Sequence, residues 1–188
     1  MDTLLSTFIA VLIAEMGDRG QILAALLAIR FGKDRAILTG LAAAAALNCG
    51  ISAAAGSVID SWISEEPLRL FAAMAYILAG AGMLAWRRKV DPLTGWKSGA
   101  FLTSFAGLFI LQFGDKSQFL IAAKAAETPI WGFAFVGGYL GLLAACIPAI
   151  LLRQKLAKIL PLTPIRRLGG TAMLLWGIFL TLGVFDLI

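Results

Sequence analysis

The sequence of 188 residues contains no histidine, only two cysteines and few charged residues. Charged residues make up 14% of the chain, whereas soluble domains carry about 25%. The absence of histidine excludes histidine general bases, serine–histidine triads and histidine-ligated metals. The overall composition also excludes a disulfide scaffold, a disordered chain and an ordinary cytosolic enzyme.

Apolar residues dominate what is present. They make up 60% of the chain, and the mean hydropathy is +0.89, which indicates an integral membrane protein. The apolar runs are continuous and rich in Ala and Leu, whereas strands of a membrane β-barrel would alternate apolar and polar residues. A helix needs about 20 apolar residues to cross a bilayer, and six such runs occur. The predicted spans are Leu4–Ile29, Ala36–Ile59, Leu68–Trp86, Gly99–Ala123, Ile130–Leu152 and Ile165–Leu187.

The basic residues are concentrated on one side of the predicted membrane. Twelve of the sixteen Lys and Arg residues fall in the first, third and fifth loops, and two fall on the opposite side. The remaining two, Arg19 and Lys116, lie inside spans. The positive-inside rule then places both termini outside the cytoplasm. The net charge of +5 is therefore attributed to cytoplasmic loops beside anionic lipid, and no nucleic-acid partner is expected.

The chain contains an internal repeat with an offset of 97 residues. Residues 15–21 align with residues 112–118, and the match includes two glycines, two aspartates and two glutamines. Each half has three spans, so the second half enters the membrane from the opposite side. We therefore predict an all-α membrane protein built from two inverted three-helix repeats, a common plan among secondary transporters. Residues 1–90 would form the first repeat, 91–97 a cytoplasmic linker and 98–188 the second repeat.

The repeated segment places formal charges near the centre of the bilayer. Glu15 lies about 12 residues into the first span and Gln112 about 13 residues into the fourth. Each charge at this depth costs roughly 3 kcal/mol on the insertion scale. Such residues pair with each other, for instance Glu15 with Arg19 at i,i+4, or they face water or bind a ligand. The five charges are Glu15, Asp18, Arg19, Asp115 and Lys116.

The spacing of the acidic residues favours a cation as ligand. Glu15 and Asp18 are three residues apart, so that one helix face would carry both carboxylates. Gln112 and Asp115 repeat this spacing. Together they supply three carboxylates and one carboxamide, and such hard oxygen ligands suit Ca²⁺, Mn²⁺ or Mg²⁺. We predict a metal site formed by these four residues.

Several neighbouring residues are predicted to support the site. Gly17 and Gly114 permit either a close approach of helices or unwinding of a helix. Gln21 and Gln118 either add a ligand or form hydrogen bonds between helices. Asn48 either lines the path of the ion or forms hydrogen bonds to another helix. The other supporting residues are Arg19, Lys116 and Ser117. Cys49 and Cys146, which are also matched by the repeat, are interpreted as small apolar residues.

The paired E-x-G-D-[KR]-[ST] pattern on spans one and four resembles that of the Gdt-type manganese/calcium transporters, which are cation/proton antiporters. The resemblance covers nearly the whole chain. It implies a multi-pass transporter, not an enzyme, in a bacterial inner membrane. It also implies that Glu15, Asp18 and Asp115 bind the divalent cation and exchange it for protons. Mn²⁺ or Ca²⁺ would then be the substrate, and no cofactor is expected.

Two departures from the family pattern stand out. Gln112 replaces a glutamate, and the first motif reads Asp18-Arg19-Gly20 without the usual Lys and Ser or Thr. A carboxamide supplies an oxygen ligand but releases no proton near neutral pH. We expect weaker cation affinity or an altered proton stoichiometry.

Two other function classes stay open from the residues alone. The chain is also compatible with an exporter of an amino acid or other small solute on the same inverted-repeat plan. An intramembrane enzyme that uses Asp18 and Asp115 as an acid pair is disfavoured, because neighbouring cations would keep both acids ionised. A homodimer is left open by the small size of six helices.

Overall fold

A computed structural model describes residues 1–85 and 89–187. Within these residues the regular structure is helical and no strand occurs, which confirms the all-α class. The third predicted span ends at Trp86, which lies outside the described residues together with the basic residues Arg87 and Arg88. The helices are α1 (Asp2–Glu15), α2 (Arg19–Phe31), α3 (Asp34–Trp62), α4 (Glu65–Leu84), α5 (Ala100–Gln112), α6 (Lys116–Ala126), α7 (Trp131–Leu152), α8 (Leu156–Ile159) and α9 (Leu162–Val184).

The first and fourth predicted spans are not continuous helices, which corrects the sequence prediction. The first span contains α1 and α2, and the fourth contains α5 and α6. Gly17 (φ 71°) and Gly114 (φ 70°) interrupt them in the left-handed region of backbone conformation, which favours glycine. Two roles were predicted for these glycines, and the structure shows that both glycines unwind a helix.

We expect Gly17→Ala to lower the unfolding temperature more than Gly114→Ala. Both substitutions force an L side chain into a left-handed conformation, at a cost of about 1–2 kcal/mol. A Cβ at Gly17 would also lie 3.0 Å from the carbonyl oxygen of Leu162, whereas no atom lies within 4 Å of one at Gly114. Thermal unfolding of the two purified variants beside the native protein measures the difference. Equal losses would contradict this account of the close approach at Gly17.

Four of the helices are long and apolar enough to cross a membrane: α3, α4, α7 with the turn that follows it, and α9. They correspond to the second, third, fifth and sixth predicted spans. The broken helices contain 14, 13, 13 and 11 residues. Each is therefore about 16–21 Å long, which is too short to cross a hydrocarbon core of about 30 Å alone. The total of six spans stays a prediction.

Each broken pair of helices packs along one continuous helix. Helices α1 and α2 both contact α7, and α5 and α6 both contact α3. The crossings use glycines that lie 97 residues apart. A Cβ at Gly40 would lie 2.9 Å from the Phe101 carbonyl oxygen, and one at Gly137 would be closer still to the Leu4 carbonyl oxygen. These close approaches hold the two interruptions inside the bundle.

Residues 89–99, which include the predicted linker, are attached to α2 through the Arg30 side chain. The Arg30 guanidinium donates hydrogen bonds to the carbonyl of Leu93 and, at 2.7 Å, to the carbonyl of Trp96. The Leu93 side chain packs against Gly107 of α5. This anchor holds the connection against the helices that carry the candidate site.

Candidate metal centre

The two helix interruptions bring the repeated motifs together. Glu15 ends α1 and Asp18 precedes α2, while Gln112 ends α5 and Asp115 precedes α6. One oxygen from each of the three carboxylates lies within 4.8 Å of the others. This separation is about twice a metal–oxygen distance of roughly 2.4 Å, so one cation can contact all three.

The chain brings these carboxylates together in a different way from the one expected from the sequence. The helix is interrupted between Glu15 and Asp18, so the two carboxylates do not share one helix face as predicted. They converge because the chain turns at Gly17. The i,i+4 ion pair between Glu15 and Arg19, one of the alternatives considered from the sequence, is not formed. The Arg19 guanidinium lies 3.8 Å from the Asp115 carboxylate instead, and its side chain is about half exposed.

The site lies inside the bundle. Glu15 is completely buried, and Asp18 and Gln112 are each 2% exposed, whereas Asp115 is partly buried. Charged groups this far from water require a counter-charge or a bound ion, because desolvation of an isolated ion costs several kcal/mol.

Lys116 supplies the counter-charge within the protein. Its ammonium group donates hydrogen bonds to the carboxylates of Asp18 and Asp115, and the distance to Asp115 Oδ2 is 3.0 Å. The lysine is itself buried. It joins the two motifs, since Asp18 belongs to the first and Lys116 to the second. A positive group therefore already lies between two of the predicted ligands.

Glu15 and Gln112 carry the polar atoms that the protein leaves unsatisfied. Both carboxylate oxygens of Glu15 and both amide atoms of Gln112 are buried without a hydrogen-bond partner of good geometry in the described part of the chain. The Ser117 side chain lies near the Glu15 carboxylate. Buried polar groups almost always have partners, and exceptions point to a function or a bound ion. These oxygens are therefore suitable cation ligands.

The glutamines after each interruption stabilise the unwound backbone. The Gly17 N–H donates to Gln21 Oε1 at 2.8 Å, and the Gly114 N–H donates to Gln118 Oε1 at 2.7 Å. Non-helical backbone at membrane depth is tolerated only where such partners exist. Because the amide oxygens are used in this way, both side chains act as supports of the interruption.

The same glutamines also bond to the neighbouring helices. Gln21 Nε2 donates to the Ala145 carbonyl at 2.6 Å, and Gln118 Nε2 donates to Asn48 Oδ1 at 2.9 Å. The Asn48 amide in turn donates to the Phe109 carbonyl at 3.2 Å. Of the two roles considered for Gln21, Gln118 and Asn48, the structure places them in bonds between helices.

Gly20 is a site residue that the sequence identified only as a departure from a motif. A Cβ at this buried position would lie 3.0 Å from Gln112 Nε2 and 3.1 Å from Glu15 Oε2. The sequence feature that could have identified Gly20 as a site residue is its lack of a side chain near two predicted ligands. Cys49 and Cys146 are buried and free, in the apolar core beside the cluster.

Carboxylates held between interrupted apolar helices are typical of the binding sites of membrane transporters. Comparison with known sequences specifies the class further. The chain belongs to the family described as divalent cation/proton antiporter GDT1, whose sequence profile matches residues 3–90 and 100–186.

Individual relatives agree with this assignment. A protein of Vibrio cholerae serotype O1 named "Putative manganese exporter" is 30% identical over 182 residues, covering 93% of this chain and 88% of the relative. GDT1-like protein 3 of Arabidopsis thaliana is 26% identical over 201 residues, covering 92% of this chain and 68% of the relative. No solved structure matches the chain at a significant level.

Proposed function

We propose that this protein exports Mn²⁺ from the cytoplasm in exchange for protons, with Ca²⁺ as the alternative cargo. The observation that carries the proposal is the convergence of Glu15, Asp18 and Asp115 within 4.8 Å, beside the unsatisfied oxygen of Gln112. All four supply hard oxygen ligands of the kind that Mn²⁺ and Ca²⁺ accept. The family description and the name of the Vibrio relative support the same cargo and exchange.

Competition for the carboxylates provides the coupling. Three carboxylates face two cationic side chains, Lys116 and Arg19, so the cluster has a small negative charge before any ion binds. A divalent cation that reaches the cluster competes with the Lys116 ammonium for Asp18 and Asp115. Protons compete for the same oxygens, so that their arrival favours release of the cation. With a proton gradient directed into the cell, this exchange drives the cation outward.

The proposed transport cycle uses two inverted halves of three spans each. The contacts that repeat at an offset of 97 residues support this plan. Gln21 bonds to Ala145 and Gln118 bonds to Asn48, and both members of the second pair are related to the first by the same offset, with the halves exchanged. Rocking of one half against the other would expose a site between them to alternate sides.

Ion flux into proteoliposomes under an imposed pH gradient tests the proposal. We expect uptake of Mn²⁺ or Ca²⁺ coupled to proton movement, with Mg²⁺ tested in parallel. Asp115→Asn is expected to reduce flux to background, because it removes one of three charged ligands and a partner of Lys116. Asp60→Asn, at an exposed position near the end of α3, is the matched control and keeps native flux.

Two outcomes would contradict the proposal. Absence of any divalent flux from folded, correctly inserted protein would exclude the cargo, and export of an amino acid would be the next activity to measure. Native flux from Asp115→Asn would exclude the site.

A further inference from the structure

Besides Arg19 and Lys116, two pairs of corresponding positions in the metal centre differ between the halves, and both pairs lie where the halves meet. At the offset of 97 residues, Gly20 corresponds to Ser117 and Glu15 corresponds to Gln112. The Ser117 side chain lies near the Glu15 carboxylate, while Gly20 lies against the Gln112 carboxamide. A hydroxyl thus lies near the carboxylate of Glu15, whereas a glycine, which has no side chain, lies beside the carboxamide of Gln112.

The space around Gly20, and not its backbone conformation, restricts the side chain at this position. It lies in α2, outside the left-handed region of backbone conformation. Its ideal Cβ would lie 3.0 Å from Gln112 Nε2 and 3.1 Å from Glu15 Oε2, closer than atoms ordinarily pack against a Cβ. Any side chain at this position therefore displaces both the carboxamide and the carboxylate.

Within the described residues, no hydrogen bond fixes the Gln112 side chain. Its two amide atoms are buried and without a hydrogen-bond partner, and the residue is 2% exposed. Packing against Gly20 is therefore one of the contacts that position the carboxamide. A hydroxyl at position 20 would compete for this space, yet it would supply a donor if position 112 carried a carboxylate.

We propose that Gly20 and Gln112 form a coupled pair that determines the cation selectivity and affinity of the centre. Gly20 is the specificity-determining position, because it admits a neutral oxygen ligand where the other half supplies a charged one. The ligand class is a hard divalent cation bound by three carboxylates and one carboxamide. This inference rests on the proposed function and specifies the ligand set of the same site.

A double-mutant cycle tests the coupling. Mn²⁺ affinity is measured by titration calorimetry on detergent-purified native protein, Gly20→Ser, Gln112→Glu and the double variant. We expect Gly20→Ser alone to weaken Mn²⁺ binding about tenfold, because it displaces two ligands. In the Gln112→Glu background the same substitution is expected to strengthen binding, because the added hydroxyl donates to the new carboxylate. The sign of the effect therefore reverses between backgrounds.

Gly20→Ala is the matched control, since it adds the same Cβ without a donor. It is expected to weaken Mn²⁺ binding in both backgrounds. Equal effects of Gly20→Ser in the two backgrounds would overturn the proposal.

The unfolding temperature of the metal-free variants provides a second measurement. If Gly20→Ser alone does not fold, recovery of folding in the double variant supports the coupling, and failure in both backgrounds overturns it. If the native protein binds no divalent cation, the proposed function fails. The unfolding temperatures still decide whether Gly20 and Gln112 are coupled.

Discussion

Replacement of Glu15 by Gln is expected to abolish cation transport and to raise the unfolding temperature of the metal-free protein. The Glu15 carboxylate is completely buried, and neither of its oxygens has a hydrogen-bond partner in the described residues. A buried carboxylate without a partner is costly, and a carboxamide of the same shape removes the charge. We expect a gain of roughly 1–2 kcal/mol, or a few degrees.

The same substitution removes one of three charged ligands. We expect Mn²⁺ affinity to fall by roughly a hundredfold or more, since hard divalent cations depend on anionic oxygens. Flux in proteoliposomes and thermal unfolding of the same preparation measure the two effects together. Glu66→Gln, at an exposed position in the first turn of α4, is the control and changes neither. Native flux would show that Glu15 is not a ligand, and a lower unfolding temperature would show that its charge stabilises the fold.

The second large effect is expected from Lys116→Met. The substitution leaves Asp18 and Asp115 facing each other without the ammonium group that now lies between them. Removal of one partner from a buried ion pair costs about 3–5 kcal/mol, so the unfolding temperature of the metal-free protein should fall by about 10 °C. Mn²⁺ should restore most of this loss, because the ion takes the place of the ammonium group.

Titration of the unfolding temperature with Mn²⁺ measures both parts of this prediction. We expect the apparent Mn²⁺ affinity of Lys116→Met to rise about tenfold, because the ion no longer competes with the lysine. Lys124→Met is the matched control. Lys124 lies on the same helix and pairs with Glu127 at 2.7 Å, but it is remote from the cluster, so its loss should leave Mn²⁺ affinity unchanged. A lower affinity in Lys116→Met would contradict competition and assign Lys116 to the support of the bound ion.

Much of the site could be predicted because its residues are unusual for their surroundings. Carboxylates in an apolar run stand out in any sequence, and their recurrence 97 residues later identified Glu15, Asp18 and Asp115 together with Gln112. The geometric argument was weaker. It assumed an unbroken helix from Glu15 to Asp18, and the cluster forms through the turn at Gly17 instead. The three carboxylates therefore do lie close together, but for a different reason from the one predicted, and their role as ligands stays a prediction.

The partners of the charges were harder to predict than the charges themselves. Pairing of Glu15 with Arg19 follows from helical periodicity, which describes only neighbours along one helix. The observed pair joins Lys116 to Asp18, and these residues are distant in the chain. Likewise, Gly20 has no local feature that relates it to Gln112. Contacts between two helices depend on how the helices pack, and this packing cannot be inferred from a single sequence.

The sequence by itself determined that this chain is a helical membrane protein with an internal repeat that carries matching carboxylate and carboxamide side chains. These properties depend on the composition and order of the residues, which are known before the packing of the helices. Only the tertiary structure decided that the helices unwind at Gly17 and Gly114. Unwinding inside a bilayer requires partners for the freed backbone groups. Gln21 and Gln118 satisfy these groups only once α7 and α3 lie beside them.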